Sequence, residues 1–124
     1  YYIHLQPGNC MLSGGIWCAD NQGIKRFRSY IDTEYEELFD IMSQPDFKHY
    51  FGDHLTCFEE LKRPPMGYSA DHPAIELLKM KQWLTEHHFD DSLLNNPQQL
   101  ISHLTDAARA MTPFSHWCNR GLLE

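Results

Sequence analysis

Between Ile24 and Met42 the apolar residues Ile24, Phe27, Ile31, Tyr35, Leu38 and Met42 recur at spacings of 3, 4, 4, 3 and 4. That rhythm returns one face of an α-helix to a core turn after turn, and a strand cannot reproduce it. It predicts a long amphipathic helix with Asp20 or Asn21 as its cap and Pro45 beyond its end. Lys25, Arg28, Asp32, Glu36 and Asp40 fall on the outward face. Such a helix needs an apolar layer beneath it, so the spacing makes this the sheet-covering helix.

The sheet is announced on both sides of the helix. Tyr1, Ile3 and Leu5 alternate with Tyr2, His4 and Gln6, and a second extended run goes from Met11 to Trp17. Pro7-Gly8 between them suits the centre of a type II turn, which reads as a β-hairpin. Gly14-Gly15 inside the second run marks a bulge or a close backbone approach. Downstream, Asp46 to Gly52 reads as a connector or a single turn. Leu55 to Leu61 reads as a strand, because Pro64-Pro65 would cut a helix short.

Pro73 suits the first turn of a short buried helix through Leu78, capped by Asp71 or His72. Trp83 to Phe89 alternates as a strand. Asn96-Pro97 with Gln99 is a capped start for a helix that buries Leu100, Leu104, Ala107 and Met111, and Thr112-Pro113 starts a separate last helix. The order predicts an α+β fold: an antiparallel sheet opened by an N-terminal β-hairpin, with helices mainly on one face. At 124 residues and 42% apolar, residues 1–124 can form one domain with a real core.

No apolar run reaches the roughly 18 residues that span a bilayer, and no charged-then-apolar leader is present, so a cytoplasmic protein with no membrane partner is expected. The four cysteines, Cys10, Cys18, Cys57 and Cys118, form no C-x-x-C pair. Free and mostly buried thiols are expected. A net charge of -7 argues against nucleic acid as a partner of the whole surface. Within Leu61 to Lys81, however, Lys62, Arg63, Lys79 and Lys81 outnumber Asp71 and Glu76, which makes a cationic island in an acidic chain.

That island is the best candidate for chemistry. The first-turn amides Ala74 and Ile75 attract anions, Arg63 has the planar fork that grips a carboxylate or phosphate, and His72 can donate or move a proton. The ligand-binding set is Lys62, Arg63, Gly67, His72, Ala74 and Lys79. A competing reading makes the same region a rigid junction, with Arg63 on Glu76, Lys79 as the i+3 partner of Glu76, and Asp71 only a cap. His72 and Glu76, four apart, would form a proton-transfer pair on a continuous helix. A His72 ring at the cap would instead be a hydrogen-bonding plug.

No metal or cofactor is expected. His87 and His88 point to opposite faces of a strand, His49 and His54 straddle a turn at Gly52, and Gly14-Gly15 alone is no phosphate loop. His116 and Cys118 diverge on a helix, which leaves the thiol inert. Trp17, Trp83 and Trp117 read as core anchors.

The run LKRPPMGYSADHPAIELLKMK also resembles the C-terminal half of the family known as domain of unknown function 2461, whose signature runs close to LKRPPKGYDxDHPAIELLKxKSF. The chain departs from it at Met66, Ser69 and Gln82-Trp83. The opening YYIHLQPGNCMLSGGIW is similar to the family's aromatic-x-L-H-x-x-P-G hairpin closing in G-G-I-W. Pro113 to Arg120 is similar to a P-L-N-E-F-L-N-R ending. The resemblance implies a further N-terminal segment ahead of Tyr1 and brings no activity with it. The functional expectation is therefore a small phosphate- or carboxylate-bearing ligand at residues 62–79, with a structural or protein-interaction module as the alternative. Reaction type stays open, as does a homodimer.

Overall fold

The computed structural model describes residues 1–17 and 20–123, the last for its backbone only, so Cys18 lies outside the described residues. Strand β1 (Tyr2–His4) and strand β2 (Cys10–Trp17) form the expected hairpin. Asn9 N–H donates to Gln6 O at 2.8 Å, and Gly8 sits at φ +80°, the conformation a type II turn demands there. Strand β3 (Gln82–Phe89) pairs with β2 antiparallel from Cys10↔Phe89 to Trp17↔Gln82, giving a three-stranded sheet in the order β1-β2-β3.

Gly14-Gly15 is not a bulge, because the register runs through both. It is a close approach on two sides. A Cβ on Gly14 would overlap Met111, and one on Gly15 would overlap Trp83 O and lie 2.9 Å from Leu84 Cα. Residues Leu55 to Leu61 do not form a continuous strand. They make two isolated bridges, Thr56↔Leu84 to β3 and Glu60↔Met80 just ahead of it. Between those bridges the Gln82 side-chain oxygen accepts from Phe58 N–H (2.9 Å) and Glu59 N–H (3.0 Å), so a side chain replaces the ladder.

Helix α1 (Asn21–Met42) starts where Asp20 accepts from Gly23 N–H at 2.7 Å. Its stripe packs on helix α4 (Pro97–Leu123) more than on the sheet, and α4 is the helix that lies directly on β2. The reason is Gly14: without a side chain there, Met111 of α4 descends onto the strand. Helix α1 reaches the sheet through Phe27, whose ring lies 4.8 Å from that of Trp83. Tyr30 hydroxyl donates to Trp117 O (2.6 Å) and Trp117 Nε1–H to Glu34 O (3.1 Å), which locks α1 on α4.

Asp46 to Gly52 is more than a single turn. Helix α2 (Pro45–Phe51) begins on Pro45 at its first position and buries Phe47 and Phe51. Pro113 does not open a separate helix either; α4 runs through it. Met111, Phe114, Trp117 and Cys118 continue the buried stripe of Ala107 across the proline. At roughly 1.5–3 kcal/mol for each large apolar side chain buried, that continuity outweighs a kink.

Asn96 accepts from Gln99 N–H at the predicted start of α4. Trp83 and Trp117 are core anchors at 0% exposure. Trp17 is not: its parity puts it on the face of β2 opposite Leu12 and Ile16, and it is 62% exposed. Among the described residues no helix is long and apolar enough to cross a membrane.

Candidate functional site

The short helix expected at Pro73 begins later, as α3 (Ile75–Leu78), with Ala74 as its N-cap. Neither amide proposed to hold an anion is free. Ala74 N–H donates to His72 Nδ1 at 2.9 Å, and Ile75 N–H donates to His72 O at 3.1 Å. Because a backbone amide can only donate, the hydrogen-bond network assigns the ring proton to Nε2, which donates to Asp32 Oδ1 at 2.6 Å. Both ring nitrogens are therefore engaged, and no lone pair is left for a substrate proton. His72 is the plug that ties α3 to α1, with Tyr35 and Tyr68 edge-on to its ring.

Glu76 is exposed and turned to Lys79 at 3.8 Å, so it forms no pair with His72 or Arg63. Gly67, at φ +95°, serves a turn closed by Tyr68 N–H on Pro65 O at 3.1 Å. Lys62 and Arg63 are both exposed. The predicted set thus divides into a His72–Ala74 lock, a Lys79–Glu76 surface pair and two outward cations, rather than one convergent pocket.

A buried cation that lines two clefts is Arg28. It was expected on the polar face of α1, but it lies four residues after Ile24 and three before Ile31, which puts it on the buried stripe. Its exposure is only 9%. Nη2–H donates to Met80 O at 3.1 Å, while Nε–H is buried with no acceptor. Among the described residues no carboxylate pairs with it. Burial pulls its pKa down, and the nearby Tyr68 partly offsets this.

Two clefts open on either side of this guanidinium. One, of about 290 Å³, is lined by Asn21, Lys25, Arg28, Leu61 and Lys81. The other, of about 320 Å³, is lined by Lys25, Arg28, Pro65, Met66 and Tyr68. Lys25 is shared and exposed, and Lys81 holds Glu59 at 3.4 Å. Of the predicted cations Lys62, Arg63, Lys79 and Lys81, Lys81 alone lines these two clefts, and the other cations there, Lys25 and Arg28, come from α1, a partner that spacing within residues 61–81 could not reveal. The usable signal was the parity of Arg28 on the stripe.

A second polar cluster joins β3, α2 and α4. His87 Nδ1–H donates to Tyr50 O at 2.9 Å, which makes His87 Nε2 the acceptor for His103 Nε2–H at 2.7 Å. Burial lowers the His87 pKa below 6.5; the Tyr50 carbonyl opposes this, and His103, His49 and His88 add repulsion. The unfolded ring therefore takes a proton that the folded ring resists. Stability is full above the unfolded pKa and is lost as pH falls below about 6.5 toward the lowered folded value. A urea midpoint that drops between about pH 7 and pH 5, with a flatter profile in His87→Gln, is expected. An unchanged slope in the variant would refute the assignment.

The described thiols are free. Cys10 and Cys118 are buried, and burial pushes the Cys118 thiol up, away from reactivity. His116 points to solvent, away from Cys118. Among the described residues no group of three metal-ligating side chains converges.

Against this geometry, one comparison is informative: the family described as "Conserved hypothetical protein (DUF2461)" matches residues 1–117. No curated protein and no solved structure matches the chain.

Proposed function

We propose, for a chain that belongs to the DUF2461 family of conserved hypothetical proteins, a role in recognising a small anionic ligand through Arg28. The observation that carries the reading is an arginine at 9% exposure, with an orphaned Nε–H and, among the described residues, no carboxylate paired with it. A buried charge is ordinarily paired, because desolvating it alone costs several kcal/mol. The missing counter-charge is supplied by the ligand. A carboxylate or phosphate at the cleft-facing part of the guanidinium meets Lys25, and Lys81 across the smaller cleft adds long-range attraction. Pro65, Met66 and Tyr68 give the second cleft an apolar wall, which suits an anion carried on a small apolar body.

A cytoplasmic setting fits the free thiols of Cys10, Cys57 and Cys118 among the described residues. The net charge of -7 keeps long polyanions away from the surface as a whole. The structural-module alternative applies to residues 72–79, where His72 and Lys79 are already paired inside the molecule.

Thermal unfolding at fixed ionic strength, with sodium phosphate or sodium benzoate replacing sodium chloride, tests the proposal. A ligand selective for the folded state raises the midpoint with its concentration, and one of the two salts is expected to do so. Midpoints identical to the chloride control at both salts would overturn the reading.

A further inference from the structure

The helices cover one face of the sheet and leave the other bare. We propose that this bare face is a second site, for a small organic cation of the quaternary ammonium class. The register fixes its layout. Tyr2 pairs with Ser13 and Ser13 with Glu86, so a ring, a hydroxyl and a carboxylate stand in one row across three strands. In the next row Gly15 pairs with Leu84, and the missing side chain lowers the floor there. An open cleft of about 550 Å³ results, and the register sets Tyr2 in the Ser13 row and Trp17, with Phe58 beside it, four residues along β2.

Three large aromatic side chains with exposures of 55% (Tyr2), 62% (Trp17) and 64% (Phe58) are unusual on one surface, where contiguous apolar patches mark binding sites. The Trp17 and Phe58 rings lie 5.2 Å apart at 51°, a two-plane wall. Charge decides the class of ligand. Aromatic faces are electronegative and attract cations, and among the described residues Glu86 supplies the charged side chain lining the cleft. An anion would meet repulsion from both, and a neutral apolar ligand would desolvate the Glu86 carboxylate without compensating it. A quaternary ammonium group sheds water readily, packs on the rings and is attracted by the carboxylate, which stands four residues along β3 from the Trp17–Gln82 row. Glu86 also contacts His88 at 3.3 Å, on the solvent side.

Trp83 and Trp117 are at 0% exposure, so a ligand-dependent change in indole emission reports on Trp17. The probe is choline chloride, with 3,3-dimethyl-1-butanol as its uncharged counterpart and sodium chloride as the ionic-strength control. A saturable emission change with choline is expected, with the alcohol at least about tenfold weaker. Glu86→Gln, which keeps the shape of the side chain, is expected to weaken choline about tenfold and leave the alcohol unchanged. No saturable change with choline, equal binding of choline and alcohol, or an unaffected Glu86→Gln variant would each overturn the proposal.

Discussion

Arg28→Met is expected to fold more stably than the parent chain while losing its response to anions. The substitution keeps most of the aliphatic stem that packs beside Ile24 and Leu61, and removes a charge held at 9% exposure with an orphaned Nε–H. Relief of one unsatisfied buried donor is worth about 1–3 kcal/mol, and relief of the desolvated charge adds to it. Against that stands the lost hydrogen bond to Met80 O, at about 0.5–1.5 kcal/mol. The balance favours the variant by roughly 1–2 kcal/mol, read as a higher urea midpoint at unchanged m-value.

Anion affinity moves the other way. A charge-assisted hydrogen bond contributes about 1.5–3 kcal/mol, so its loss weakens binding roughly tenfold to a hundredfold. Stability gained where binding is lost is the signature of a residue retained for function. If Arg28→Met is instead less stable by more than about 2 kcal/mol, the guanidinium is holding the structure together and the anion reading fails.

Gly15→Ala is expected to be the most damaging single substitution to the sheet. Gly15 sits at φ +138°, where an L side chain is strained at a cost of about 1–3 kcal/mol. The added Cβ also meets the Trp83 carbonyl and the Leu84 backbone, neither of which can swing away without breaking the β2–β3 ladder. Together these predict a loss of about 3 kcal/mol or more in chemical denaturation. Gly8→Ala is the natural control. Its φ is also positive, at +80°, but nothing lies within 4 Å of the added carbon, so only about 1 kcal/mol of backbone strain is expected. Equal losses at the two glycines would show that the contact with Trp83 and Leu84 has no weight.

What could be read from the sequence was local chemistry, and what could not was tertiary choice. The Pro7-Gly8 turn, the Asp20 cap and the Asn96 cap each rest on residues within three positions of one another, and each stands as expected. The α+β class followed from the order of those elements. Pro113 misled because the rule that proline ends a helix is also local, whereas the stripe from Ala107 to Cys118 buries itself on α1 and β2. Thr112 hydroxyl donates to Ala108 O at 3.0 Å just before the proline, inside the unbroken helix.

The predicted site residues are dispersed for a related reason. His72 spends both nitrogens, one of them on Asp32, forty residues away, and no spacing rule within Leu61 to Lys81 could foresee that partner. Arg28 and Trp17 were different: the stripe of α1 and the alternation of β2 both carried their true orientation. They were misassigned because residue type, a charge taken as exposed and an indole taken as buried, was given more weight than periodicity.

The pairing of β2 with β3 has a consequence for how the molecule assembles. To bring Trp17 beside Gln82, the chain must loop out α1, α2 and α3 entire. The entropy of closing so long a loop is lost before the non-local contacts repay it, so helical order is expected to precede strand pairing on the folding route. On that expectation the α1 wall of the clefts beside Arg28 forms before the wall from Leu61, Pro65, Met66, Tyr68 and Lys81 is brought to it.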